Sequence, residues 1–379
     1  MYITSLYYNE DKWHTIDTTL RNGEGVDLVL VFGEPDIMTT PSPFNSLKEY
    51  YPNAQIIGAS THTKILSGET SVYDMVATAI SFDSSYIKLE RTPINQERDL
   101  YTTAFNLADK FDKDGLKGIL LLSDGLHVNG STLAKAFNDA LPNVAKIGGL
   151  ASDSGSFTQS NIMANAPAEE RVIAAVGFYG DNLSLQSGYS NGWSPFGAKH
   201  IVTKSKNNVV MQIDDTPALD FYRKYLGSFA DELPEIGLRF PLSIETTQGS
   251  KQVFTVRTLL GIDEKKKLLI FAGDVPQNSK IQLMLSTNDK LIDEISELSQ
   301  SIKPARTDSI AISISCIGRK LILNDFSNLE VRKVQQILGN KTTLIGFYSN
   351  GEIVSDSNDI LHCSLHNQTM TVGVITETI

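Results

Sequence analysis

The chain has 379 residues, of which 41% are hydrophobic and 20% are charged, and its formal net charge is −11. This acidic balance argues against a broad nucleic-acid surface, because neutralising phosphates requires clustered Lys and Arg. No apolar stretch approaches the roughly 20 residues that span a bilayer, and residues 1–14 lack the basic start and apolar run of a signal peptide.

The two cysteines, Cys316 and Cys363, stand in apolar, strand-like segments. Unpaired cysteines in such segments are typical of proteins from a reducing compartment. We therefore expect a cytoplasmic protein without membrane insertion. Its length exceeds what one hydrophobic core usually supports, so two domains are expected.

The first predicted unit is a strand, a helix and a second strand. The apolar run over 26–32 ends at Gly33, as buried strands often do. A brief helix over 43–51 follows, and then a strand over 55–57 that leads into Gly58-Ala59-Ser60. Strands over 72–82 and 86–89 and a helix over 95–111 complete this part of the prediction.

The same unit is predicted twice more. Its second copy has a strand over 118–122, a helix capped by Asn129-Gly130-Ser131 and a strand over 143–147 that leads into Gly148-Gly149-Leu150-Ala151-Ser152. Its third copy has a strand over 310–314, a helix over 329–338 and a strand over 342–345 that leads into Gly346-Phe347-Tyr348-Ser349. Recurrence of a Gly/Ser-rich strand exit predicts construction around a ligand-facing edge, with Ser60, Ser152 and Ser349 as neighbours.

A different pattern separates the second and third copies. The predicted elements are strands over 171–179 and 183–189, a turn-rich break over 191–197, a helix over 218–226, strands over 253–260, 267–272 and 280–285, and a helix over 288–302. Asp214-Asp215-Thr216-Pro217 has helix-start chemistry, so we place the domain boundary there. The prediction is a mixed α/β (α+β) fold with large mixed sheets and two domains, 1–214 and 215–379.

No complete catalytic set is present in the sequence. Gly188-Tyr189-Ser190-Asn191-Gly192 fits the G-x-S-x-G pattern, but that motif requires a helix directly after the serine, and Pro195 follows instead. Phosphate-loop and dinucleotide fingerprints are missing. Asp74, Asp124 and Glu352 are candidate acids without a recognisable base beside them in the sequence. We therefore expect a binding protein and no enzyme.

Two histidines near the C-terminus are candidate metal ligands. On a strand, His362 and His366 would be about 13 Å apart, too far to share one ion. A single imidazole suffices as the axial ligand of haem iron, which makes His366 the first candidate for a haem ligand. His62, after the first strand exit, is the second. The alternatives are a buried hydrogen-bonding role for His366 and a solvated loop for His62.

Several stretches together resemble the FIST family of bacterial sensory proteins. The matching stretches are 57–65, 147–152, 192–197, 217–227, Gly318-Arg319, 346–353 and 365–370, of which the last two are the most specific. One stretch departs from the family pattern: His62-Thr63-Lys64 stands where a small residue, Gly and Glu are usual. The resemblance implies paired FIST N and FIST C domains over nearly the whole chain.

That resemblance also implies a function. Members of the family are non-catalytic sensors that bind a small ligand and regulate a signalling partner. Free-standing members of about this size include haem b proteins that sense nitric oxide and act on a histidine kinase or a cyclic-di-GMP enzyme in trans. The alternative is a haem-free sensor of amino acids or related metabolites. The predicted ligand-binding residues are Ser60, Ser152, Trp193, Tyr348, Ser349, Gly351 and Glu352.

Overall fold

A computed structural model describes residues 1–19, 25–95, 97–248, 251–356 and 359–378 of the chain. Helices and mixed sheets alternate throughout these residues, which confirms the predicted α/β class. None of the described helices is long and apolar enough to cross a membrane.

The first part of the chain forms a β-sheet in which two parallel strands are joined by helices and flanked by antiparallel strands, an arrangement that we call a module. Its elements are β1 (Tyr2–Asn9), β2 (Lys12–Thr18), β3 (Leu28–Gly33), α1 (Pro35–Met38), α2 (Pro41–Tyr50), β4 (Gln55–Ser60), β5 (Lys64–Leu66), β6 (Glu69–Ser71) and β7 (Met75–Ser81). Strands β3 and β4 are parallel, β7 pairs antiparallel with β3, and β1 pairs antiparallel with β7. The resulting order is β4-β3-β7-β1.

The second part repeats this module. Its elements are β8 (Tyr86–Pro93), α3 (Leu100–Ala108), β9 (Leu116–Ser123), α4 (Gly130–Ala140), β10 (Ala145–Leu150), β11 (Ile162–Ala164) and β12 (Val172–Tyr179). Strands β9 and β10 are parallel, and β12 and β8 add antiparallel strands in the order β10-β9-β12-β8.

The third part begins with β13 (Leu183–Ser190) and is then interrupted by an inserted segment. The elements of that segment are β14 (Ser194–Lys206), β15 (Val209–Ile213), β16 (Thr216–Pro217), α5 (Ala218–Leu226), β17 (Leu242–Gln248), β18 (Lys251–Arg257), β19 (Leu259–Asp263), β20 (Leu268–Phe271), β21 (Lys280–Leu285), α6 (Asn288–Asp293) and α7 (Leu298–Ser301). Strands β14 to β21 form a sheet of their own, which we call the inserted sheet.

After the insertion the module is completed for the third time. Its elements are β22 (Ser309–Cys316), α8 (Ile317–Leu323), α9 (Ser327–Leu338), β23 (Thr342–Ser349), β24 (Gly351–Asp356), β25 (Asp359–His366) and β26 (Met370–Glu377). Strands β22 and β23 are parallel, and the order β23-β22-β26-β13 matches the two earlier modules. The predicted repetition of a strand–helix–strand unit is therefore confirmed.

A glycine marks the same position of each module. Gly58, Gly148 and Gly346 lie opposite the first parallel strand, and a β-carbon on any of them would stand 1.9 to 2.1 Å from a carbonyl oxygen of that strand. Any larger residue would push the parallel strands apart, because the contacting atom is backbone and has nowhere to go. This close approach explains why the strand exits read alike in the sequence.

The three modules exchange strands in a closed cycle. Strand β5 of the first module pairs with β23 of the third, β11 of the second pairs with β4 of the first, and β24 of the third pairs with β10 of the second. In each module, the strand that pairs with a neighbouring module lies in the sequence between the second parallel strand and the antiparallel strand that follows it. The apolar core joins the modules further, since the ring of Phe32 stacks on that of Phe347 with centroids 4.6 Å apart.

The predicted domain boundary lies between β15 and β16, which pair with each other in the inserted sheet. Strands from both sides of residue 214 also share the sheets of the second and third modules. The division into 1–214 and 215–379 stays a prediction.

Some predicted elements have other bounds in the structure. The helix predicted over 95–111 begins at Leu100, because the Asp99 side chain accepts a hydrogen bond from the Thr102 amide and caps it. The break predicted over 191–197 is shorter, because Ser194 already pairs with β21. The helix predicted over 288–302 is divided by a 3₁₀ turn, where the Ser296 hydroxyl donates to the Asp293 carbonyl.

Candidate functional site

The strand exits of the three modules meet at one seam. The Ser60 hydroxyl donates to the Ser152 carbonyl over 2.9 Å, and the Ser152 amide donates to the Ser60 carbonyl over 2.9 Å. The Ser152 hydroxyl and the Thr61 hydroxyl both donate to the Tyr348 carbonyl. Ser60 and Ser152 are thus neighbours, as the sequence predicts. Both are fully buried, and their hydroxyls hold the modules together.

Ser349 and Glu352 form a second buried group. They follow Tyr348, which belongs to the seam, within a few residues of the sequence. The Ser349 hydroxyl donates to one oxygen of the Glu352 carboxyl group over 2.7 Å, and the Thr369 hydroxyl donates to the other over 2.8 Å. Burial raises the pKa of Glu352 to about 8, although the hydrogen bonds from Ser349 and Thr369 act in the opposite direction. The carboxyl group is therefore mostly protonated at neutral pH.

Tyr348 belongs to a buried ionic network. Its hydroxyl donates to Glu330 over 2.7 Å, and the guanidinium of Arg319 lies 2.8 Å from the same carboxylate. Both charged side chains are fully buried. A pair that is enclosed and hydrogen-bonded in this way fixes the packing of α8 and α9 against β23.

Trp193 and Gly351 also lie in packed surroundings. The indole N–H of Trp193 donates to the Gln368 carbonyl over 3.3 Å. A β-carbon on Gly351 would stand 3.0 Å from a methyl group of Leu365 and 3.3 Å from one of Leu150. The role of Trp193 and Gly351 in ligand binding stays a prediction.

The two predicted haem ligands have different environments. His366 is buried with its ring 4.3 Å from that of Tyr189, and burial together with the positive charge of Arg257 lowers its pKa to about 3. Its imidazole is therefore neutral. His62 has a side chain that is 60% exposed, and its Nδ1 lies 3.0 Å from a carboxylate oxygen of Glu34. The described residues include no cluster of three or more His, Cys, Asp and Glu that could hold a metal ion.

A cavity of about 490 Å³ lies between the second module, the third strand exit and the inserted sheet. This volume is within the range of pockets that bind small molecules. We call it the junction cavity, and its described lining residues are Gly125, Leu126, His127, Val128, Asn129, Leu150, Phe157, Asn208, Leu260, Phe271, Ala272, Gly273 and Asn350. A larger depression of about 780 Å³ runs along α3, but most of its lining side chains are exposed and polar.

His127 is held in the junction cavity by Asp124. The Asp124 carboxylate, fully buried at the end of β9, lies 3.0 Å from Nδ1 of His127. It also accepts hydrogen bonds from the backbone amides of Leu126, His127 and Arg171. Burial raises the pKa of Asp124, but these hydrogen bonds together outweigh that effect and leave the pKa below its ordinary value.

The ionised Asp124 fixes the orientation of the imidazole. Because the carboxylate can only accept, Nδ1 of a neutral His127 carries the hydrogen, and Nε2 is left as an acceptor. Sequence reasoning named Asp124 but missed His127. The signal available was the spacing Asp-x-x-His directly after a buried strand, where the loop turns back on its own carboxylate.

Asn350 lies on the opposite side of the same loop. Its side-chain oxygen and nitrogen are both buried, and neither has a hydrogen-bond partner in the described part of the chain. A β-carbon on Gly125 would stand 2.0 Å from the Ala151 carbonyl oxygen and 2.9 Å from this nitrogen, so the close packing here requires glycine at 125. An unsatisfied buried amide is costly unless something else binds it. The stretch 346–353 thus contributes to the cavity through Asn350, which the sequence did not single out.

Two family models match consecutive parts of the chain. The model of the FIST N domain matches residues 27–216, and that of the FIST C domain matches residues 218–355. An uncharacterized protein of Methanocaldococcus jannaschii is 23% identical over 376 residues, covering 88% of this chain and 70% of that protein. The crystal structure of cyanuric acid hydrolase from A. caulinodans aligns with 93% of this chain and 90% of that one, at 8% identity. Its TM-score of 0.34 is too low to carry any argument.

Proposed function

We propose that this chain, which belongs to the FIST family, is a non-enzymatic sensory protein that binds a small ligand in the junction cavity. The observation that carries the proposal is the pairing of an oriented imidazole with an unsatisfied amide in one cavity. His127 and Asn350 come from different modules, and Phe271 on the facing wall comes from the inserted sheet. The proposal places the protein in the cytoplasm.

A ligand at this place can produce a signal by bridging parts of the fold. Each wall of the cavity belongs to a different part: the loop before α4, the exit of β23, and β20 of the inserted sheet. A ligand that contacts all three parts favours one relative arrangement of them. The difference in its binding free energy between two arrangements limits how far it can shift the equilibrium between them. The partner proposed from the family is a histidine kinase or a cyclic-di-GMP enzyme in trans.

Thermal-shift screening of the purified protein tests the proposal. A ligand that binds only the folded state raises Tm by mass action. We expect a raised Tm with at least one member of a panel that contains the amino acids, nucleobases and related metabolites. We expect Leu260→Trp, which fills the cavity from a side chain that is 45% exposed, to abolish that shift. A hit whose shift survives Leu260→Trp would place the ligand elsewhere.

The second candidate is a haem-based nitric oxide sensor. Neither His366 nor His62 lines the junction cavity, and the His366 ring is packed against Tyr189. His127 has the chemistry of an axial ligand, because a carboxylate on the second ring nitrogen orients such histidines. Bound haem would supply an iron that takes nitric oxide. The observation that favours this candidate is the Asp124–His127 pair, whereas the cavity volume of about 490 Å³, which suits smaller rings, speaks against it.

An absorption spectrum after expression with ample haem tests the second candidate. A Soret band that is lost in His127→Ala and kept in His366→Ala would support haem binding in the junction cavity. Loss of the band in His366→Ala alone would support the ligand predicted from the sequence. A colourless wild-type protein would exclude haem and leave the metabolite sensor.

A further inference from the structure

We infer that the junction cavity takes an uncharged ring compound that carries N–H and C=O groups on its edge, of the lactam or imide kind. This inference rests on the proposed function, since it assumes that the cavity is the ligand site. It goes further by naming the chemical class of the ligand. Amino acids are excluded from this class because they carry two charges.

The first argument is the charge of the lining. Among the described residues that line the cavity, His127 is the sole titratable one, and its Nδ1 is already bound to Asp124. A zwitterion or a carboxylate buried here would leave its charges without counter-charges. Burying an unpaired charge costs far more than burying a neutral polar group. The lining therefore favours an uncharged ligand.

The second argument is that the nearby helix terminus is already occupied. Asn129 caps α4 by accepting hydrogen bonds from the amides of Ser131 and Thr132. Its own amide nitrogen donates to the carboxylate of Asp274 over 2.8 Å. The positive end of the helix thus already has a negative charge beside it, and a second anion would be repelled.

The third argument is the apolar surface of the cavity. The larger apolar side chains among its described lining residues are Leu126, Val128, Leu150, Phe157, Leu260 and Phe271. Leucine and phenylalanine walls suit a flat ring, because aromatic faces pack well against both. A volume of about 490 Å³ leaves room for one or two fused rings and a substituent.

The last argument is the hydrogen-bonding pattern of the polar side chains. Because Asp124 holds Nδ1, the Nε2 atom of the neutral tautomer would accept, and an N–H group of the ligand can bind there. Asn350 has an unpartnered acceptor next to an unpartnered donor. A lactam or imide edge has the same two groups side by side and can satisfy both. The Asn208 amide nitrogen donates to the Phe271 carbonyl, which leaves its oxygen as a further acceptor on the wall.

The experiment compares uncharged rings with charged metabolites on the same protein. Uracil and hypoxanthine, whose rings carry adjacent N–H and C=O groups, are tested by calorimetry and thermal shift against glutamate, lysine and leucine. We expect at least one ring compound to bind and raise Tm, and the amino acids to leave Tm unchanged. Asn350→Leu should weaken ring binding by about tenfold or more, the equivalent of the hydrogen bonds lost. The matched control Asn53→Leu, in an exposed turn, should bind as the wild type does.

Each outcome decides between the inference and the proposed function. Stabilisation by an amino acid that Leu260→Trp abolishes would overturn the inference and leave the proposed function standing. Ring binding that Asn350→Leu does not change would also overturn the inference. Absence of binding by every ring compound, with a wild-type protein that unfolds cooperatively, would overturn the inference, and the proposed function would fall with it only if the whole panel also left Tm unchanged. Removal of an unsatisfied buried amide does not threaten folding, so the apo Asn350→Leu protein remains a valid control.

Discussion

Asp124 and His127 form the pair on which the candidate site depends: the carboxylate lies 3.0 Å from Nδ1 of the imidazole and accepts three backbone amides as well. The loop after β9 therefore folds around one buried negative charge. That charge sets both the shape of the loop and the direction in which His127 presents its second nitrogen.

Asp124→Asn should weaken the loop and the ligand site together. The amide has one oxygen in place of two, so backbone bonds are lost, and we expect a loss of about 1–3 kcal/mol in the free energy of unfolding at pH 7. The folded-state pKa lies below the unfolded value of about 3.9, so this stabilisation is present above that value and disappears as pH falls through the folded-state pKa. Urea unfolding at pH 7 and pH 3 measures the difference. Equal stability of the two proteins at pH 7 would contradict this account.

Glu352→Gln should stabilise the protein at alkaline pH. Because burial raises the folded-state pKa of Glu352 to about 8, folding costs free energy as pH rises from about 4.3 toward 8. The slope from this group is at most about 1.4 kcal/mol per pH unit. Urea unfolding at pH 5, 7 and 9 should show that the free energy of unfolding of the variant, relative to that of the wild type, increases with each rise in pH. The exposed Glu232→Gln is the control, and a gap that does not grow with pH would rule out a buried acid of raised pKa.

Arg319→Met should be far more harmful than the double change Arg319→Met with Glu330→Met. The single variant leaves the Glu330 carboxylate buried without its cation, at a cost of about 3–5 kcal/mol. Removing both charges takes away that penalty, so the double variant should recover much of the loss. Denaturant midpoints of the three proteins measure this. A double variant less stable than the single one would show that the pair itself contributes net stability.

Gly148→Ala should destabilise the protein by about 3 kcal/mol or more, because its β-carbon would stand 2.0 Å from the Leu121 carbonyl oxygen. Gly58→Ala and Gly346→Ala should behave alike, since the same contact recurs in their modules. Gly25→Ala, with open space around its β-carbon, is the matched control and should be close to neutral. Thermal unfolding of the four variants measures the ranking. A neutral Gly148→Ala would contradict the close packing of β9 and β10.

The repeated unit could be predicted because its cause is local. Gly58, Gly148 and Gly346 are needed wherever a parallel neighbour approaches closely, and the apolar runs around them show strand and helix periods. The strand exchange could not be predicted in this way. Pairing of β24 with β10 joins residues about 200 positions apart, and no local pattern encodes it.

The candidate site was predicted in part. Reasoning from strand exits pointed to the ends of β10 and β23, where Leu150 and Asn350 line the junction cavity, and it named Asp124 as a candidate acid. It placed Ser60 and Ser152 at a ligand edge, where the structure uses their hydroxyls inside the seam. His127 and Asn350 were missed because their significance lies in what surrounds them: a buried carboxylate for one, and the lack of a partner among the described residues for the other.

The most direct test of the account is the affinity of the wild type and of Leu260→Trp for the compound that raises Tm most in the screen. Leu260 lines the junction cavity, and its side chain is 45% exposed, so the larger ring can enter the cavity without disturbing the core. We predict that Leu260→Trp keeps the Tm of the apo protein and loses binding by about a hundredfold or more, since the ring occupies the space of the ligand. Unchanged affinity in a folded Leu260→Trp protein would show that the junction cavity is not the ligand site.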